Sequence, residues 1–229
     1  MNRRSLLAGA AAAGTVGLAG CLGGLLSTTS RESTPASVTE SVLASTDYEL
    51  AGVERRTTEE PVSFAGQSET VTVTSHLTTY ERRVGIEGVA ETATATFAVF
   101  STPKLAVLGR PLNPIAEQSG RELVGLVERE YDSIDDLEHD TDETVTVLDQ
   151  QTTNSRFTAA ASIGGFPIDL DIHVTEAVSR GDDFVVTLAI YPQAFRGVEA
   201  DNVVALAESV TADPPATNES AANESTADQ

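Results

Sequence analysis

The chain has 229 residues, 40 % of them apolar, with 35 acidic side chains against 14 basic ones and a net charge of −21. The apolar fraction is ample for a core and excludes a disordered protein. The charge excludes a nucleic-acid binder, because phosphate contacts need arginine and lysine clusters, and it excludes electrostatic docking on anionic lipid heads. Acids are spread along the whole chain and Lys104 is the one lysine, a pattern suited to molar salt, where the Debye length falls to about 3 Å and self-repulsion is screened.

The first segment reads Met1-Asn2-Arg3-Arg4-Ser5-Leu6-Leu7 and runs through an Ala- and Gly-rich apolar stretch to Leu18-Ala19-Gly20-Cys21. A basic start, a short apolar run and small residues before a cut site are the parts of an export signal. The run from Leu6 to Gly20 is shorter than the roughly 20 apolar residues that a membrane-spanning helix needs. The paired Arg3 and Arg4 resemble a twin-arginine signal. Ala19 and Gly20 before Cys21 resemble a lipobox, in which the cysteine thiol takes a lipid and becomes the new N-terminus. Cys21 is the only cysteine, so it has no disulfide partner within the chain, and lipidation accounts for it. Residues 1–20 are therefore read as the signal peptide and 21–34 as a lipidated Gly/Ser/Thr tether. Loss of Arg3 and Arg4 with the signal leaves 12 basic and 35 acidic residues.

Residues 35–213 form one domain's length of chain. Thr34 and Pro35 predict the cap and first position of a helix that buries Val38, Val42 and Leu43. Tyr48–Arg56 reads as a strand. Val71, Val73 and Leu77 alternate with threonines and His76 on a strand that bends near Ser75, and Ala93, Ala95, Phe97 and Val99 alternate on another. Ser119-Gly120-Arg121-Glu122 is a capping box ahead of Leu123, Val124, Val127 and Tyr131 on one helical face. Four strand signals follow, Thr144–Asp149, Arg156–Ile163, Ile168–Thr175 and Phe184–Tyr191, with Gly164-Gly165 and Gly181-Asp182 as turns of an antiparallel meander. A last helix over about 198–210 carries Val203, Leu206, Ala207 and Val210 on one side. The acidic tail 214–229 begins with Pro214-Pro215 and reads as disordered; Asn218 and Asn223 head two glycosylation triplets. The expected fold class is α+β, an antiparallel sheet covered by N-terminal, central and C-terminal helices.

The residues that could carry chemistry are few. His76, His139 and His173 share no metal-binding spacing, and no nucleophile-elbow, phosphate-loop or dinucleotide motif occurs, so no catalytic residue and no cofactor is assigned. Strand alternation puts Ile168, Leu170, Ile172 and Val174 toward the core and lines Asp169, Asp171 and His173 along the other, wet face. That row is a weak metal candidate, and a solvated sheet face explains it as well. Asp132 to Glu143 is rich in acids but lacks the glycine of a calcium loop, so it reads as a solvated loop. Pro103 to Pro114 stands apart: it is apolar, holds three of the nine prolines and no acid, and carries Lys104 and Arg110 beside Leu105, Val107 and Leu108. Such a loop offers an apolar surface with two positive charges to a partner, or else caps the core.

The order of elements over 90–213, with the last strand running into the final helix, resembles the PsbP-like sandwich. Over nearly the whole chain, Ser101-Thr102-Pro103, Val107-Leu108-Gly109-Arg110, Leu148-Asp149-Gln150 and Arg156-Phe157 resemble small twin-arginine-exported haloarchaeal lipoproteins of unknown function. The resemblance implies no activity. Together these features lead to the expectation of a membrane-anchored extracytoplasmic lipoprotein, a non-catalytic accessory or binding protein held on the outer face of the cell membrane by a lipid on Cys21, with a membrane or extracellular protein as partner. The alternatives are an exported hydrolase with a non-motif active site and a structural cell-surface glycoprotein.

Overall fold

The structure is a computed structural model and describes residues 30–64, 67–85, 92–104, 106–107, 110–111, 134–163 and 166–216. Its elements in chain order are β1 (Ser30–Glu32), β2 (Ser37–Val38), α1 (Glu40–Thr46), β3 (Glu49–Phe64), β4 (Gln67–Gly85), β5 (Thr92–Pro103), β6 (Ala106–Val107) and β7 (Arg110–Pro111). Then come β8 (Ile134–Val147), β9 (Gln150–Ile163), β10 (Phe166–Thr175), β11 (Val178–Arg180), β12 (Asp183–Pro192), a 3-10 turn (Gln193–Phe195), α2 (Arg196–Glu208) and β13 (Val210–Thr211).

One nine-stranded sheet dominates. Its main path runs β3-β4-β5-β12-β10-β9-β8, all antiparallel, while β11 adds to β12 and β1 lies parallel to β4. Two meanders, β3-β4-β5 and β8-β9-β10-β12, meet where β12 pairs with β5, Asp183 opposite Pro103 and Ile190 opposite Thr96. The strands form because threonine, valine and alanine alternate along them: a β-branched side chain fits a pleated surface better than a helix. Leu148 and Asp149 take positive φ, 49° and 60°, in the two-residue turn between β8 and β9, and Gly181 (φ 53°) does so between β11 and β12. This matches the twist that tight hairpins require.

Both faces of the sheet's centre are buried. On one, Tyr80, Phe97, Val99, Ala189 and Tyr191 pack with Val203, Leu206 and Ala207 of α2. On the other, Leu77, Phe100, Phe157, Leu170, Ile172, Leu188 and Ile190 form a second cluster. Each large side chain so buried contributes about 1.5–3 kcal/mol relative to exposure.

This architecture overturns the α+β expectation and with it the PsbP-like sandwich. The described residues are mostly β, in a mixed sheet, with two α-helices of 7 and 13 residues. The strands outgrow the sequence reading: β4 is continuous for 19 residues through Ser75, and β3 runs past Arg56 to Phe64, tolerating Pro61 because β3 is an edge. Ser30–Glu32, inside the segment read as tether, is strand β1. The predicted first helix is a strand at Ser37–Val38, paired with β13, and α1 begins only at Glu40. Val42 and Leu43 still pack on the core. Most of the acidic stretch read as a loop is edge strand β8, with register shifts between Asp135 and Glu138 and between His139 and Thr141. Such irregularities, with charge, blunt an exposed edge. The central helix predicted over 119–131 and the Gly164-Gly165 turn lie outside the described residues.

Candidate functional site

The polar residues that the fold gathers lie beneath α2. β10 is covered on both faces, so the face predicted to be wet is interior at its far end: Asp169 is exposed, but Asp171 is 0 % and His173 1 % exposed. Alternation does place Asp169, Asp171 and His173 on one face, but α2 folds back over that face after Pro192 and takes it out of solvent. Asp171 accepts two hydrogen bonds from Arg196, the first residue of α2, from Nε at 2.5 Å and Nη2 at 2.6 Å, and a longer one from Gln193. The Asp171 side chain raises the Arg196 pKa. Outside, Asp140 on β8 sits 2.9 Å from Arg156 Nε and 4.0 Å from Arg196.

His173 is fixed from both ring nitrogens. Asn154 Nδ2 donates to the Glu143 carboxylate at 2.8 Å and lies 3.1 Å from His173 Nδ1. A carboxylate accepts only, so the Asn154 amide is oriented by Glu143, and its second N–H goes to His173 Nδ1. Nε2 then carries the ring proton and donates to Tyr191 Oη at 2.8 Å. Burial drives the His173 pKa down to about 4, with Arg156 adding to the effect, so the ring is neutral at pH 7. Burial first, and then the Asp171 charge, pushes the Tyr191 phenol up.

A second knot fastens the same helix. Glu199, 0 % exposed in the first turn of α2, accepts from Tyr48 Oη at 2.8 Å, from Asn202 at 3.3 Å, and from Arg82 on β4. Burial and then Glu199 raise the Tyr48 pKa. Two oppositely oriented ion pairs, Arg196 to β10 and Glu199 to β4, thus pin the start of α2 across the sheet.

A third cluster sits where β1 meets β4. Ser33 Oγ donates to the Ser101 carbonyl at 2.9 Å and lies 3.2 Å from His76 Nδ1, while His76 Nε2 is 3.6 Å from Glu32. The trio of serine, imidazole and carboxylate has the composition of a hydrolytic triad. Its geometry differs. Ser33 is 3 % exposed with its proton on a carbonyl, and the adjacent Thr34 amide, a donor that an oxyanion would need, is spent on Asp183 at 3.0 Å. The arrangement fastens β1 to the sheet. Burial lowers the His76 pKa, partly opposed by Glu32. His139 is exposed and 2.8 Å from Asp142, its ring edge-on to Phe157.

The fold leaves Asp169, Asp171 and His173 too differently placed to share an ion, and among the described residues no three His, Cys, Asp or Glu side chains are gathered as a metal site. Lys104 of the expected partner loop is engaged by the fold: its amide donates to Asp182, and Nζ donates to the Gly181 carbonyl at 2.8 Å, 5.1 Å above the Phe184 ring. Val107 and Arg110 are register partners in the β6–β7 ladder. Leu105, Leu108, Arg3, Arg4, Cys21, Asn218 and Asn223 lie outside the described residues. An open cleft of about 500 Å³ lies between α1 and the C-terminal prolines, walled by Val38, Leu43, Leu50, Tyr80, Pro214 and Pro215. Sequence reasoning missed Ser33, Asn154, Tyr191, Arg196 and Glu199, since their contacts to His76, His173, Asp171 and Tyr48 span 18 to 151 residues of the chain.

Among the described residues no helix is long and apolar enough to cross a membrane. A comparison with curated proteins finds no match. Residues 35–211 match the family described as Domain of unknown function (DUF6517), and the chain belongs to that family.

Proposed function

We propose that the protein is an extracytoplasmic lipoprotein of the haloarchaeal, twin-arginine-exported type, held on the outer face of the cell membrane by a lipid on Cys21. It works there as a non-catalytic accessory or binding protein. The observation that carries this reading is the lone Cys21 behind Ala19-Gly20 and an export-type leader, nine positions ahead of the first residue of β1. The tether that begins at Cys21, the single domain 35–213 and the tail 214–229 complete the proposed organisation. Support for a non-catalytic role comes from His76 and His173, whose ring nitrogens are used inside the fold. The open cleft of about 500 Å³ beside α1 falls in the size range of small-ligand sites.

The test is the intact mass of the protein extracted from membranes, with Cys21→Ala beside it. A chain starting at Cys21 and heavier by a lipid, lost together with membrane association in the variant, is the expected result. A chain that keeps residues 1–20 or a free thiol at Cys21 would sink the anchor. The hydrolase reading has one observation in its favour, the Ser33–His76–Glu32 contact; hydrolysis by the purified protein that disappears in Ser33→Ala and in His76→Gln would establish it.

A further inference from the structure

The open cleft beside α1 is assembled by segments far apart in the chain. Val38 on β2 and Tyr80 on β4, 4 % and 1 % exposed, give it a buried wall; Leu43 on α1, Leu50 on β3 and the Pro214-Pro215 pair add to it. These walls are tied to one another. Val38 pairs with Val210 and Ser37 with Thr211 between β2 and β13, the Thr39 amide donates to the Ser209 carbonyl, and the Val38 amide donates to Tyr80 Oη at 2.9 Å. The two proline rings fix their own backbone. A ligand therefore meets a preformed space of about 500 Å³ and orders little of the protein on entry, which spares it one of the costs of binding.

The chemistry of the walls selects among small molecules. Among the described residues that line the cleft, Glu40 is the charged one. An acid in the first turn of a helix is common for the helix's own sake. Here it also stands three positions before Leu43, so a carboxylate and an apolar side chain share one side of α1 and both reach the cleft. An anion is turned away by Glu40 and by the net charge of −21. A bare metal ion is poorly served, since a hard cation such as calcium takes roughly six or more oxygen ligands and, among the described residues, no second Asp, Glu or His lines the cleft. A neutral apolar molecule would strip water from the carboxylate and offer no partner in return. An organic cation suits both parts of the wall: its charge faces Glu40 and its carbon body covers Leu43 and Leu50. Hydroxyls supply further acceptors. Thr39, the N-cap of α1, makes no side-chain cap bond, and Ser37 Oγ and Thr211 Oγ1, 3.1 Å apart, share one hydrogen bond between two hydroxyls.

We propose that the cleft is a binding site for a small organic ammonium ion, a cationic nitrogen on an apolar body, with Glu40 as its counter-ion and Leu43 and Leu50 as its apolar contacts. The inference rests on the reading of the protein as a non-catalytic binding protein and names the class of its ligand. Molar potassium does not erase the preference, because K⁺ gains nothing from leucine, whereas each methylene taken out of water is worth about fourfold in affinity.

The test is an NMR titration of the full chain as isolated from cells, labelled at the Val and Leu methyl groups, in molar KCl. Hexylammonium, 1-hexanol and hexanoate are the probes, one apolar body with a positive, a neutral and a negative head. Hexylammonium is expected to shift the methyl signals of Val38, Leu43 and Leu50 saturably while those of Leu170 and Leu188, in the cluster on the opposite face of the sheet, stay in place. It should bind up to about fivefold more tightly than 1-hexanol, the range of an exposed ion pair, with hexanoate weaker than both. Glu40→Gln should bring hexylammonium down to the affinity of the alcohol, and Leu50→Ser should weaken both ligands several-fold; unchanged dispersion of the methyl signals in each variant shows that the fold is kept. Equal affinity of the three probes, or hexylammonium binding unmoved by Glu40→Gln, overturns the proposed cation site while the cleft remains a ligand site, so the binding-protein reading stands. No saturable shift with any probe, or shifts spread equally to Leu170 and Leu188, overturns this inference and leaves the binding-protein reading without its ligand cleft. The lipid on Cys21 is tested by intact mass, and no outcome here bears on it.

Discussion

Replacing Arg196 by alanine removes the guanidinium and leaves the Asp171 carboxylate, 0 % exposed, with the 3.4 Å contact from Gln193 and the neighbouring Tyr191 phenol, neither of which carries a charge. Breaking a buried ion pair from one side costs about 3–5 kcal/mol, chiefly through the charge left without a partner. The Arg196 side chain is 36 % exposed, and water screens part of the pair, so the lower end, about 3 kcal/mol, applies. Asp171→Asn is the milder change. It keeps an acceptor facing Arg196, and the cation left over can reach solvent, so about 1 kcal/mol is expected. For a domain of this size 1 kcal/mol is roughly 2–4 °C of Tm, so Arg196→Ala should melt about 6–12 °C below the parent and Asp171→Asn about 2–4 °C below. Chemical and thermal unfolding in constant molar KCl would measure both, with the double variant completing a cycle whose coupling is about 2 kcal/mol. Should Asp171→Asn cost as much as Arg196→Ala, the carboxylate would not be the group that burial penalises, and the assignment of the cost to a stranded buried charge would be refuted.

The remaining predictions concern the same interior. His173 titrates near 4 in the folded chain against 6.5 unfolded, so the unfolded state binds more protons between those values; stability is fully present above about pH 6.5 and falls by up to about 3 kcal/mol as pH drops to 4. His173→Gln should flatten that limb of the pH–stability curve, and an unchanged slope would count against it. Tyr48→Phe removes the hydrogen bond to Glu199 and is expected to cost about 1.5–3 kcal/mol in urea unfolding, more than the loss of one methyl-sized contact. Gly181→Val places a β-branched residue at φ 53° and should cost about 1–3 kcal/mol although the space around Cα is open; a neutral variant would show that the turn relaxes.

Ile168–Thr175 was legible as a strand because apolar and polar residues alternate along it, Phe184–Tyr191 because it is a short, nearly continuous apolar run of strand length, and the last helix because Val203, Leu206 and Ala207 recur at helical spacing. The basic start and apolar run before Cys21, Cys21 itself and the acidic character are local properties of the chain, and they carry the proposed location. Other features depended on what packs against what. Alternation along β10 says that Asp171 and His173 share a face, but only the return of α2 over that face decides that they are interior, neutral or paired, rather than wet. Ser37–Val38 has the cap and proline signals of a helix start nearby, yet the pairing with β13, about 170 residues on, wins because long-range hydrogen bonds outweigh a weak local propensity. The place of β1 beside β4 is set by parallel pairing with a strand about 40 residues away, a relation that no local pattern encodes.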